Sequence, residues 1–273
     1  VTTPSPSPPG SAAPDLGAVR VEELHTAEDL DAASRLYRTV FGYTGPEAGL
    51  NRRLLRALAV NGGATLGARV PGGPLLAFAY GFPGLSAGVP YFYSQAAVVA
   101  AGAQGLGLGR RLKAAQADAA RGRGFTTMRW SFDPLYARNA HVNLDVLGAV
   151  GRWFHRDLYG DGDSDRLVVE WTLATADEPD GPGGAGAVRP GPWRTYGPQD
   201  WGRPDPHPDR PDALVALPLP AGVQVGAGDR AAAADVAARL GHALDALLAA
   251  GLPAVRCVRQ DATTAVYVCA ATP

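Results

Sequence analysis

Lysine is almost missing from this chain: of its 25 basic residues Lys113 is the single lysine, and the rest are arginine. An excess of positive charge is missing too. The 25 bases face 26 acids, for a formal net charge of -1, which excludes the electrostatic footprint of a nucleic-acid or polybasic membrane-surface binder. Arginine in place of lysine accompanies 35 glycines and 24 prolines, the signature of GC-rich coding, so the bias is compositional before it is chemical. Cysteine is scarce. Cys257 and Cys269 are too few for a disulfide framework, and no Cys/His spacing resembles zinc ligation, so no metal is expected. The two could still face each other across a late hairpin. No apolar run is long enough to span a bilayer, and no basic-then-apolar opening reads as a signal peptide. A soluble, cytoplasmic protein is the expectation.

What is present is ample apolar material, 46% of the chain, arranged with clear punctuation. The Pro/Ser-rich start "VTTPSPSPPGSAAPD" reads as a disordered tail over 1-18. "VRVEEL" alternates as a strand, and Thr26 with Asp29 marks the cap and first turn of a helix over "AEDLDAASRLYRTVF". "LNRRLLRALAV" follows as a second helix. "ATLGARV", "PLLAFAYGF" and "PYFYSQAAVVA" are strands, the first two paired as a hairpin. "RRLKAAQADAARG" is a helix, "FTTMRWSF" a strand, "ARNAHVNLDVLGAV" a helix weakened by Gly148 and Gly151, and "DRLVVEWTL" a strand. Residues 176-212 read as a Pro/Gly-rich linker, and 213-273 as a β-α-β-β subdomain. The order through 19-175 predicts an α+β fold.

The densest signal is "AGAQGLGLGRRLK", with glycines at 102, 105, 107 and 109 between a strand and a helix. Bare backbone there lets a ligand approach the unpaired amides of the helix start, where the dipole is positive. Arg110, Arg111 and Lys113 follow at once, although cations in a first turn are disfavoured by roughly 0.3–1 kcal/mol each. An anion with several charges at that terminus would account for them. Neither the Walker loop nor the G-x-G-x-x-G dinucleotide fingerprint fits: the spacing is G-x-G-x-G and the preceding strands read as hairpins.

Gln104 to Gly109 is Q-x-x-G-x-G, with Val99 and Ala101 upstream in a V-x-P-x-x-Q frame. This resembles the acetyl-coenzyme A loop of the GNAT superfamily of N-acetyltransferases. The likeness extends through "WSFDPLYARNAHVNLDVLGAV", "LYG" and "DRLVVEW", marks of a bacterial branch of predicted acetyltransferases, and covers about residues 19 to 175. It implies the GNAT fold, a mixed central sheet with two splayed strands flanked by helices, here with a C-terminal β-α-β-β extension.

The resemblance also implies a reaction and its parts: acyl transfer from acetyl-CoA, or another acyl-CoA, to a small amine by direct attack on the thioester. The diphosphate would lie on the amides of Gln104, Gly105, Leu106, Gly107, Leu108, Gly109 and Arg110. The pantetheine arm would run along Val98, Val99 and Ala100, with the Val99 amide as oxyanion donor, and Asn139 would contact that arm. The tyrosine that many members carry on the following helix is missing; Val146 stands near its place. Tyr136 and Tyr159 are substitutes for the acid, and Asp133 is a candidate base whose other reading is a turn residue before Pro134. Tyr43, Glu47, Tyr93 and Gln95 would border the acceptor. Asp165, Arg166 and Trp171 also match, and are explained by a buried Asp–Arg pair beside a packed tryptophan. A non-catalytic acyl-CoA binder is the main alternative and a dinucleotide-dependent oxidoreductase a weaker one. A homodimer is an open partner.

Overall fold

The structure is a computed structural model and describes residues 17–45, 49–162, 164–173, 194–206, 212–218 and 230–271. The expected N-terminal tail to residue 16, Glu47 and residues 176–193 of the expected linker lie outside the described residues. The fold is α+β, and the chain divides into two compact units, Val1–Met128 and Arg129–Pro273.

In the first unit the strands β1 (Arg20–Glu23), β2 (Ala64–Arg69), β3 (Ala77–Ser86) and β4 (Val89–Val99) pair antiparallel in chain order. Helix α1 (Ala27–Phe41) opens where expected, the Thr26 hydroxyl accepting from the Asp29 amide. Gly42 closes it at φ 69, a left-handed cap that only glycine adopts without strain. Helix α2 (Arg52–Val60) is capped by Asn51, and α3 (Leu108–Gly122) follows the glycine loop.

Period-two alternation sorts the sheet into two faces. Ala77 and Ala79 of β3 join Leu66, Ala68, Leu108 and Leu112 in one cluster, and the small alanines let α3 lie close. Phe78 and Tyr80 point the other way and join Leu24, Leu30 and Leu55 beneath α1 and α2. Each fully buried Leu or Phe contributes ~1.5–3 kcal/mol relative to leaving it exposed.

β4 carries an irregularity that the sequence pattern did not reveal. Ala96 pairs with Tyr80 but Ser94 with Gly81, so Gln95 is the extra residue of a β-bulge. One extra residue reverses the alternation. Phe92 packs against Phe125 and Ser94 bonds to α3, whereas Ala96 and Val98 fall on the α1/α2 face. Gly81 sits opposite the bulge because nothing larger fits: a Cβ there would lie 2.4 Å from the Phe92 ring and 2.6 Å from the Tyr93 carbonyl.

The second unit takes up most of β5 (Thr127–Phe132) and orders its strands β5-β7-β6-β10-β11-β9-β8. Here β6 is Val150–His155, β7 Arg166–Thr172, β8 Pro204–Pro206, β9 Asp212–Pro218, β10 Ala254–Arg259 and β11 Thr264–Ala270. Helix α5 (Arg230–Ala249) packs on β6 and β9. Two expectations need correction. The helix expected over "ARNAHVNLDVLGAV" is one α-helical turn, α4 (Ala137–His141), running into a π turn over Val142–Val146. Gly148 at φ 72 then ends it. Gly151 belongs instead to the unexpected strand β6, where a Cβ would sit 3.0 Å from both Ala254 and Leu167. Within the expected linker, Pro204–Pro206 form the sheet strand β8, which pairs with β9, and Tyr196 is buried with Leu214 and Val266.

The hairpin of β10 and β11 places Cys257 opposite Tyr267, not opposite Cys269, so both buried thiols are free. Burial pushes the Cys269 thiol up to about 12 and raises Cys257 further.

Candidate coenzyme-binding loop

After β4 the chain makes a 3-10 turn over Ala101–Ala103 and reaches α3 through residues 104 to 107. Leucines and glycines divide the work in "GLGLG". Leu108 is buried and Leu106 packs beside it on the cluster under α3. The intervening glycines face outward, and a Cβ on Gly105, Gly107 or Gly109 would meet no atom within 4 Å. Gly105 at φ 79 and Gly107 at φ 77 are required by left-handed backbone. Gly109 is different: helical, exposed and uncrowded, it is not required by the fold.

The first intrahelical bond runs from the Arg111 amide to the Gly107 carbonyl, so the amides of Leu108, Gly109 and Arg110 precede it. No acid stands in the first turn of α3, in contrast to Glu28 and Asp29 in α1. The positive end of the dipole is therefore uncompensated by the helix itself. The Gln104 amide is drawn into the 3-10 turn, bonding Ala101 at 3.3 Å, which narrows the expected donor run to 105–110. The Gln104 side chain reaches back to the Val99 carbonyl at 3.4 Å.

On β4 the Ala100 amide bonds to Leu76 of the β3 side, and the register pairs Val98 with Phe78. Alternation in an antiparallel ladder then turns the Val99 amide to the edge of β4 opposite β3. Of the three positions expected to meet a pantetheine arm, Val99 has the suitable direction, and the amides of Val98 and Ala100 face β3.

The three cations do not act together, contrary to the expectation. Arg110 is exposed beside the loop. Arg111 donates to the Val19 carbonyl and so fastens α3 to the start of β1. Lys113 donates to the Ser94 hydroxyl at 2.7 Å, and Ser94 donates in turn to Gln116 at 2.8 Å. The lysine is half-buried by area, yet its ammonium end meets the interior, and desolvation pulls it down to about 7. This polar network escaped the sequence reading. Its signal was there, in two polar residues, 113 and 116, beside the apolar stripe of Leu112, Ala117 and Ala120.

Tyr43 lies 39% exposed and stacks on Phe41, with Tyr37 joining that pair to buried Phe78. Tyr93 packs on Phe82, and Gln95 beside it is the bulge residue. In the second unit the Asp133 carboxylate accepts from the Leu135 amide at 2.9 Å, the turn arrangement given as its other reading. Tyr136 is the residue before α4, and Asn139 and Val146 are exposed on the helix that follows. Tyr159 is 51% exposed, its hydroxyl 3.5 Å from Ser131 of β5 and its ring 5.5 Å from the Arg166 guanidinium. The expected Asp–Arg pair takes another form: Asp165 accepts from the Asp157 amide, and Arg166 donates to the carbonyl of Asp165. Trp171 does pack, edge-on to Trp130 at 6.3 Å. Among the described residues no group of His, Cys, Asp or Glu is placed to hold a metal ion.

No protein-family model matches the chain, and no curated protein does. Solved structures similar to it include one described as an acetyltransferase of the GNAT family from Desulfovibrio desulfuricans, 19% identical, covering 57% of this chain and 100% of that one, with a TM-score of 0.47. Another is the ribosomal-protein-S18-alanine N-acetyltransferase from Escherichia coli, 18% identical over 59% and 97% of the two chains, TM-score 0.46. A third is the NatC complex bound to Gag peptide and CoA, 13% identical over 57% and 99%, TM-score 0.47.

Proposed function

We propose that the chain is a GNAT-type N-acyltransferase that takes an acyl group from acetyl-CoA or another acyl-CoA and passes it to a small amine. The observation that carries this is the "GLGLG" loop: leucines pinned in the core, bare glycine backbone outside, and unpaired amides at the start of α3. The G-x-G-x-G spacing speaks against the dinucleotide alternative, whose fingerprint is G-x-G-x-x-G.

In this reading the coenzyme supplies the acyl group as a thioester. The amides of residues 105–110 and the exposed Arg110 hold its diphosphate. The Val99 amide donates to the thioester oxygen as that atom gains negative charge. Binding donor and acceptor together supplies the proximity that direct attack needs. The aromatic cluster of Tyr37, Phe41 and Tyr43 offers π faces to a cationic amine, and Tyr93 and Gln95 stand on the strand that leads to the loop. For the protons, Tyr159 or Tyr136 is the proposed acid, with Tyr159 the more exposed residue of the two. Asp133, one of whose carboxylate oxygens accepts from the Leu135 amide, is the proposed base.

One feature of the sequence favours a second reading, an acyl-CoA binder without catalysis: Val146 stands near the place where the resemblance implies a tyrosine. Coenzyme release from acetyl-CoA across a panel of primary amines separates the two. Amine-dependent release supports the transferase, and saturable binding without release supports the binder. Tyr159→Phe should lower kcat at least 10-fold with little change in KM for acetyl-CoA; an unchanged kcat removes Tyr159 from the proposal.

A further inference from the structure

The second unit holds a cavity of about 630 Å³ that the acyltransfer reading does not use. One wall is α4 with its π turn, and the other is β10 with the start of β11. The lining includes the apolar residues Ala137, Val258 and Ala265 and three arginines, Arg138, Arg256 and Arg259.

The one carboxylate in the lining, Asp145, is already engaged. Its Oδ1 accepts from Arg256 Nε at 2.8 Å, and its Oδ2 accepts from the Cys257 amide at 2.8 Å and lies 3.3 Å from His141 Nδ1. Only 8% of that side chain is exposed, and the acid ties the π turn to β10. Arg138 and Arg259 are both exposed, and among the described residues neither is matched with a carboxylate. Arg259 spends its Nε on the Asp261 carbonyl, which fixes the stem and leaves the outer edge of the fork facing away from that bond. In so arginine-rich a chain a single arginine signifies little. With Arg256 matched by Asp145, Arg138 and Arg259 give the apolar cavity a positive balance.

We propose that this cavity binds a small anionic amphiphile, with a carboxylate or phosphate head on the guanidinium groups and a hydrocarbon body on the alanine–valine lining. The planar fork of arginine matches either head bidentately, and a concave apolar site with a few convergent charges is the usual form of a small-molecule pocket. The inference does not depend on acyl-CoA chemistry, since none of the residues it uses is assigned to the coenzyme, the acceptor or the proton transfers.

Calorimetry on the full chain with octanoate, octyl phosphate, octylamine and octanol tests it. One or both anionic probes should bind with 1:1 stoichiometry, at least 10-fold tighter than octanol or octylamine, and more weakly as salt is raised. Whichever head binds tighter identifies the ligand class. Arg138→Ala combined with Arg259→Ala should weaken the anionic probes at least 10-fold without shifting the melting temperature, because both side chains are exposed. Equal binding of octanol, no binding of either anion, or full affinity in the double variant overturns the proposal. Acetyl-CoA titrated in parallel keeps the two readings apart, since either can fail alone.

Discussion

Gly109 and Lys113 stand four residues apart on α3 and state the protein's two residue-level arguments in opposite ways. Gly109 weakens its own helix without relieving any contact in the fold. Gly109→Ala should therefore raise stability by ~1 kcal/mol while weakening acetyl-CoA binding at least 10-fold, read by urea unfolding and by calorimetry. Gly107 is held at φ 77, so Gly107→Ala should cost ~1–2 kcal/mol of stability as well as affinity. Lys113 is a cost the fold carries. Its ammonium is pulled from about 10.5 to about 7 by desolvation, so between pH 7 and 10.5 the unfolded chain binds a proton that the folded chain has released. Stability from this group must rise with pH across that window and lie flat below it. Lys113→Met should raise stability at pH 6 by ~1–3 kcal/mol, as replacement of a desolvated charge by an apolar chain does, and remove the slope between pH 7 and 10. Denaturant titrations at three pH values check both. The glycine loop was legible in the sequence because leucine and glycine alternate in plain letters. The different fates of Arg110, Arg111 and Lys113 were not, since adjacent cations on a helix point around its circumference and only tertiary partners separate them.

At the scale of elements, α1 was readable to the residue because cap, first-turn acid and apolar spacing agree. The late hairpin that carries Cys257 and Cys269 was also expected, and it forms as β10 and β11. The bulge at Gln95 was hidden, because a bulge shows itself only through pairing with a second strand. Its partner Gly81 gives the test. A methyl there would meet the Phe92 ring at 2.4 Å and backbone at 2.6 Å. Gly81→Ala should destabilise by ~1–3 kcal/mol through overpacking, seen as a lower urea midpoint with an unchanged slope. β6 was hidden for a related reason: Gly148 and Gly151 read as flaws in one helix, whereas one ends a π turn and the other permits close approach of Ala254 and Leu167.

For the whole molecule, near-neutral charge and two buried thiols set the bulk behaviour. Cys257 and Cys269 are buried, unpaired and shifted toward the protonated form, so Ellman's reagent should find no rapidly reacting thiol in the native protein and two after denaturation. A fast native thiol would contradict the placement of β10 and β11. The same inertness leaves coenzyme A thiol release readable without background from the protein. The most direct test is a calorimetric titration of acetyl-CoA into the full chain beside its Gly109→Ala variant. The account predicts saturable 1:1 binding to the first and at least 10-fold weaker binding to an equally folded second. Absence of binding to the unaltered chain, or equal affinity of the two proteins, contradicts it.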